Sequence, residues 1–259
     1  WGMRCDYHTH TTYSDGSFLG WMVHAAENAG LDAIGITDHC IVSSREGPRH
    51  QRENMGFNLD VTYERRKGAI DAMNERHDIE IIDGVEMDFH PDDEAEIAAF
   101  LDEVGFEYAI GSVHEVDGTN VHFEDHFAEQ SAAARRDHVT TYFDRLVALI
   151  ESELFDIAAH VDLIERNSTL RGLATDEQYR RVAEAFTDSR TVPELNAGRV
   201  LSEYGEVHPT PQFMEILREE GVEFVFGTDS HDPSEIEPRK EELEKFAATH
   251  GVETTTLAL

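Results

Sequence analysis

Lysine is almost missing from this chain. Only Lys67, Lys240 and Lys245 occur, and Lys and Arg together number 21 against 54 Asp and Glu, a formal net charge of −33. No clustered basic stripe is left to bind long nucleic acid, so partners of that class are not expected. Cysteine is scarcer still. Cys5 and Cys40 fall in or just after expected strands; they form no disulfide framework, and a reducing cytoplasm is the expected compartment. Long apolar runs are absent too: none approaches the ~20 residues of a membrane helix, so no membrane partner is expected. The polar start, which already carries a histidine pair, is not read as a leader. Low-complexity linkers and internal repeats are lacking as well. With 259 residues, the simplest expectation is one domain, since a single α/β barrel takes about 250 residues.

What the chain has in excess is carboxylate. Acidic residues are spread along its whole length and form no tail, and arginine replaces lysine. This pattern reads as adaptation to high salt, where self-repulsion is screened over a few ångströms. An acidic face for a basic partner is the alternative, but such faces are concentrated, not dispersed.

Strand and helix patterns alternate along the chain. Strands are expected at Met3–His8, Asp32–His39, Ile79–Glu86, Phe106–His114, Phe155–His160, Thr191–Asn196 and Gly221–Asp229. Between them lie helical patterns: Phe18 to Ala29 (capped by Ser17, with Trp21, Met22 and Ala25 on one face), Val61 to Glu75, Asp93 to Val104, Ser131 to Glu153, Arg171 to Asp188 and Thr210 to Glu220, with a last one from Ser234 to His250. Pro193 is an objection to the sixth strand, because proline lacks a ladder donor. Residues 41–60 and 115–130 read as long polar loops. The first carries Arg45, Arg49, His50 and Arg52, either as a solvated loop or as a lid offering cations to an anionic substrate. Crossovers of this length imply parallel pairing.

The strand ends carry the chemistry. His8 and His10 stand at i and i+2, a spacing that projects both from one face of a strand. Asp15 follows on a turn, and later strands end in His39, Glu86, His114, His160, and Asp229 with His231. Imidazole and carboxylate without thiolate suit Zn, Mn or Fe, and the set is too large for one tetrahedral ion. Two or three divalent ions are expected. Parallel barrels build their sites at the C-terminal ends of strands. An open doubly wound sheet does the same, but a site drawing on all seven strand ends closes more easily in a ring.

Six motifs resemble those of the PHP (polymerase and histidinol phosphatase) superfamily: His8-Thr9-His10, Thr37-Asp38-His39, Gly84-Val85-Glu86, Ser112-Val113-His114-Glu115, His160-Val161-Asp162 and Asp229-Ser230-His231. Asp6-Tyr7-His8-Thr9-His10, Gly84-Val85-Glu86-Met87-Asp88 and Glu194-Leu195-Asn196 look most similar to the monofunctional histidinol-phosphate phosphatases. The resemblance implies an α/β fold, a distorted (β/α)7 TIM-like barrel, with a trinuclear site and residues 1–259 as a single phosphoesterase domain. It assigns one metal to His8, His10, Glu86 and Asp229, a second to Glu86, His114 and His160, and a third to Asp15, His39 and His231. Some members place a histidine near Asp15. Glu86, Asp229 and His231 are then the residues expected to be catalytic. Ions held there would supply a nucleophile from water near neutral pH, and the chain's cations would help neutralise the phosphoryl oxygens.

The implied reaction is hydrolysis of a small phosphate ester, with L-histidinol phosphate as the leading substrate. Nucleotides or short oligonucleotides are the alternative within the superfamily, and a non-catalytic metal module is the alternative outside enzymology. Arg166, Arg199 and Arg45 are the expected substrate-binding cations. Asp38, Glu115 and Asp162 adjoin expected ligands and are candidates to orient their imidazoles. His90, His122 and His126 are loop histidines that could touch substrate.

Overall fold

A computed structural model describes residues 2–259. In chain order the elements are β1 (Cys5–Thr9), α1 (Leu19–Asn28), β2 (Ala33–Ile36), β3 (His39–Cys40), α2 (Glu46–Met55), α3 (Tyr63–Asn74), β4 (Glu80–Asp88), α4 (Glu94–Val104), β5 (Tyr108–Ser112), β6 (Glu115–Val116), β7 (Thr119–Asn120), α5 (Glu124–Ala128), α6 (Ala132–Glu151), β8 (Ile157–Ala158), α7 (Asp176–Thr187), β9 (Val192–Asn196), α8 (Pro211–Glu219), β10 (Val225–Gly227) and α9 (Pro233–His250).

Seven strands pair in parallel in the order β1-β2-β4-β5-β8-β9-β10. The ends then meet: Thr9 bridges Ser230 in parallel, and the Asp229 amide donates to the His8 carbonyl at 2.7 Å. Below that bridge a side chain closes the seam, with the Thr228 amide and hydroxyl donating to the Asp6 carboxylate at 2.9 and 2.5 Å. The molecule is an α/β protein built on a nearly closed parallel barrel, as expected.

Strand parity explains what fills the barrel and what caps it. Along β4, Ile82, Gly84 and Glu86 share a face; along β5, Tyr108, Ile110 and Ser112 do. A buried cluster of Tyr7, Ala33, Ile82, Tyr108, Ile110, Ile157, Ala159 and Val225 occupies the lower interior, and the polar members of the same rows stand above it. The β1–β2 register shifts between Asp6 and Thr9. That irregularity lets Tyr7 point into the core and His8, the next residue, into the site. Space at the axis is tight: a Cβ on Gly35 would sit 1.8 Å from the Tyr108 hydroxyl, which donates to the Tyr7 carbonyl at 2.6 Å. A larger cluster, including Met22, Ile34, Val85, Phe143, Leu195 and Phe213, packs the helices against the outer face.

Several local expectations give way. The second strand breaks after Ile36, and His39–Cys40 pairs separately with β4, His39 opposite Glu86. Residues 41–60 are not a loop but contain α2, which ends at Gly56 in the left-handed conformation. Its few apolar side chains left no helical stripe to read. In residues 115–130, β6 and β7 form a small antiparallel hairpin followed by α5. Ser17 does not cap α1, whose N-cap is Phe18, and Trp21 lies 60% exposed. Pro193 does sit within β9, opposite Ala158. The seventh strand is shorter than expected, Val225–Gly227.

Candidate metal centre

The nine expected donors meet at the C-terminal mouth of the barrel. Their ligand atoms fall into three sets, each within 4.8 Å: His8, His10 and Asp229; Glu86, His114 and His160; and His10, Asp15, His39 and His231. Glu86 stands at the centre. Its Oε2 lies 3.2 Å from His8 Nε2, 3.4 Å from His10 Nε2 and 2.9 Å from His39 Nδ1. Its Oε1 lies 3.2 Å from His160 Nε2 and 3.5 Å from His114 Nε2. On the far side, Asp15 Oδ1 is 3.4 Å from His231 Nε2 and 3.7 Å from His39 Nε2. The structure also turns His10 Nδ1 toward Asp15, at 4.0 Å, so His10 faces two of the sets.

The polar atoms here fit cations better than each other. His8 Nδ1 is taken by Glu194 at 2.9 and 3.0 Å. Its other nitrogen, Nε2, faces His10 Nε2 at 3.1 Å and Glu86 Oε2 at 3.2 Å. Glu86 Oε2, His10 Nδ1 and His160 Nδ1 are buried without a hydrogen-bond partner. Imidazole and carboxylate atoms converging at this density are what a divalent ion satisfies.

The charges agree. Burial alone would raise the Glu86 carboxyl, but the imidazoles of His39 and His8 hold it well below its ordinary value. Asp229 is likewise burdened by burial, yet His8, His10 and His231 keep it ionised. Burial, with the charges of His231 and His39, brings His10 down to about 4. Against burial, Glu86 and Asp15 push His39 up to about 10. Protons on imidazoles such as His39 are what balance these carboxylates when no other cation does.

Two donors sit on strained backbone: His160 has φ +27° and Asp229 +53°, uncommon for residues with a Cβ and frequent at functional sites. Arg239, buried beneath, donates to the carbonyls of Thr228 and Asp229 and, at 2.8 Å, to Glu235. Glu235 in turn accepts from the His231 amide at 2.8 Å and completes the Asp232 capping box that starts α9. The helix start thereby fixes the strand end.

The partners expected to orient imidazoles are elsewhere. Asp38 accepts from the Thr11 amide at 2.7 Å, from Ser14 at 2.9 Å and from Arg66 at 3.0 Å, so it braces the loop that carries Asp15. Glu115 stands 3.8 Å from Arg145 and 3.9 Å from Arg45. Asp162 holds His208. The carboxylates that do grip candidate ligands are Glu194, on His8, and Asp88, 2.5 Å from His114 Nδ1. Both were open to the i+2 rule: Asp88 shares the inward row of Glu86, and Glu194 that of Asn196.

Above the donors lies a cavity of about 370 Å³, whose lining includes Gln51 and Met55 of α2, Asn120, His122, Arg166 and Arg199. Arg166 reaches Asp229 Oδ2 at 3.4 Å and Asn196 at 3.0 Å. Arg199 makes no ion pair among the described residues. Arg45 is not in this cavity; its guanidinium is engaged by Asp93 at 2.7–3.1 Å. Arg49 and Arg52 line a different hollow, beside Tyr63 and Phe100. The face that α2 turns to the site is therefore neutral. His126 bonds Gln130 at the surface, and His90 accepts from the Asp92 amide.

Residues 6–198 match the family model described as the PHP domain. A probable histidinol-phosphatase of Deinococcus radiodurans is 26% identical over 90% of this chain and 88% of its own. The DNA polymerase/3'-5' exonuclease PolX of Bacillus subtilis is 27% identical over 92% of this chain but only 36% of its own length. A crystal structure of histidinol phosphate phosphatase from Lactococcus lactis, complexed with zinc, L-histidinol and phosphate, has a TM-score of 0.77 at 20% identity, covering 98% and 96% of the two chains.

Proposed function

The chain belongs to the PHP domain family, and on that premise we propose that it is a metal-dependent phosphomonoesterase whose substrate is L-histidinol phosphate. One observation carries this reading: nine histidine and carboxylate side chains converge in three sets of ligand-competent atoms, beneath a small cavity bordered by Arg166, Arg199 and Arg239. The likeness to a probable histidinol-phosphatase, over most of both chains, supports the substrate. The sites are assigned to His8, His10, Glu86 and Asp229; to Glu86, His114 and His160; and to Asp15, His39 and His231, with Zn, Mn or Fe as the ions.

When bound, the ions supply Lewis acidity toward phosphoryl oxygens and a nucleophile at neutral pH. The chain's own residues do the rest. Glu194 and Asp88 fix the tautomers of His8 and His114. Glu86, Asp229 and His231 hold negative charge and donors in place before substrate arrives, which lowers the reorganisation needed in the transition state. Arg166 and Arg199 neutralise phosphoryl oxygens from the β8–β9 side. The alcohol half would lie toward Gln51, Met55 and Asn120. A cavity of about 370 Å³ suits a small ester, at the lower end of ligand-site sizes.

The test is phosphate release by Zn- or Mn-loaded protein from histidinol phosphate, nucleoside monophosphates and 3′,5′-bisphosphates. The expected preference is histidinol phosphate. A nucleotide preference would remove the substrate assignment; activity retained in His10→Ala would remove the catalytic metal site. We further read the chain as one phosphoesterase domain working in a salt-rich cytoplasm. Activity and Tm are expected to rise into molar KCl; an optimum in dilute buffer would refute that adaptation.

A further inference from the structure

We propose that His208 is a positioning residue that, held by Asp162, aims the Arg166 guanidinium at the phosphoryl group of the substrate. The inference rests on reading the cavity as a phosphate-ester site.

His208 is fully buried and belongs to none of the candidate metal sets. Its Nδ1 lies 2.6 Å from Asp162 Oδ1, and the other carboxylate oxygen of Asp162 accepts the Thr210 amide at 2.7 Å. Asp162 therefore selects the tautomer with the proton on Nδ1. The ring's Nε2 is then an acceptor, and Arg166 Nε donates to it at 2.9 Å. A protonated imidazole would confront the guanidinium with N–H against N–H, and burial keeps His208 below its ordinary pKa.

The ring itself cannot wander. The backbone of His208 exchanges two hydrogen bonds with Asn196, at 2.8 and 2.9 Å, and the Tyr204 ring stacks on it with centroids 5.1 Å apart and planes 11° apart. Asn196, pinned by the same backbone pair, takes Arg166 Nη2 at 3.0 Å through its side-chain oxygen. Arg166 is thus held at two points by residues fixed to each other, and a third contact reaches Asp229. No acceptor among the described residues takes its Nη1, and the residue lines the cavity. An arginine left alone this close to Asp229 would fold onto the carboxylate. The Asp162–His208 pair supplies a competing acceptor that keeps one face of the fork open.

A double-mutant cycle tests this. Zn-loaded wild type, His208→Ala, Arg166→Ala and the double variant are titrated calorimetrically with inorganic phosphate, and KM and kcat are measured with histidinol phosphate. His208→Ala is expected to weaken phosphate binding and raise KM about tenfold, with a smaller change in kcat. In the Arg166→Ala background the same change is expected to alter either by less than about twofold. His208→Gln, which keeps an acceptor toward Arg166, should recover part of the loss and carries the cycle if the alanine variant does not fold. Equal losses in both backgrounds would reduce His208 to a core residue, and an Arg166→Ala variant that binds phosphate normally would overturn the proposal outright. Should the wild type hydrolyse no ester at all, the functional reading falls, while the phosphate titrations still decide the role of His208.

Discussion

Arg66 is a fully buried charge outside the metal centre, and its removal has a calculable effect. The side chain is fully buried and donates to Asp38 at 3.0 Å, to Asp83 at 2.8 Å and to the Gly84 carbonyl. Replacing it with methionine keeps most of the apolar stem but takes the cation from two carboxylates. Asp38 keeps Thr11 and Ser14 as donors. Asp83 keeps no side-chain partner, and burial already raises its carboxyl even with Arg66 beside it. At pH 7 Asp83 in the variant must stay charged and unpaired or take up a proton. Protonating a carboxyl of pKa near 4 costs about 4 kcal/mol at that pH, so relaxation limits the penalty to about 3–5 kcal/mol, the usual range for breaking a buried pair. That is a large part of the ~5–15 kcal/mol that holds a domain folded.

Urea denaturation in molar KCl, comparing wild type, Arg66→Met and Arg66→Met/Asp83→Asn, measures it. The double variant should regain part of the loss. The pH sense also follows. A carboxyl whose folded pKa is raised contributes stability that is complete below its unfolded pKa and is lost as pH climbs through the folded one. The Arg66→Met defect should therefore be full above neutrality and shrink as pH falls toward 4. A loss under about 1 kcal/mol, or a defect unchanged by Asp83→Asn and by pH, would refute the reasoning.

Gly198→Ala should cost at least about a hundredfold in kcat with little change in Tm, because the new Cβ would lie 2.1 Å from Asp229 Oδ2 and 3.0 Å from Arg166 Nη2; kinetics beside a melting curve decide it, and normal activity would contradict the placement. Burial brings the Glu165 carboxyl up to about 7, with Oε1 unpartnered. Its stabilising contribution is complete below about pH 4.5 and lost as pH rises through 7, so Glu165→Gln should be relatively more stable than wild type above pH 7, with a flatter stability curve between those values. Stripping the protein with a chelator should lower Tm by several degrees, and added zinc should restore it, since an ion bound only to the native state stabilises by mass action; an unchanged Tm would count against the metal sets.

What the sequence alone determined is the architecture and the donor types. Alternating strand and helix periods, with His, Asp or Glu at strand ends, dictate a parallel α/β barrel with its chemistry at one mouth, because parity and crossover length are local properties. Helix α2 escaped, since an almost wholly polar helix has no stripe to betray it. Which charges reach the site was also beyond local reading. Arg45 and Arg166 look alike as isolated arginines, yet Asp93 claims the first, while His208 and Asn196 hold the second over the cavity. Glu194, not Asp162, orients a ligand-facing imidazole, and His208 joined the site from a segment that carried no motif. Pairing of this kind depends on distances between residues tens or hundreds of positions apart. Only closing the barrel, down to the register shift in β1 beside Tyr7 and His8, decides those distances.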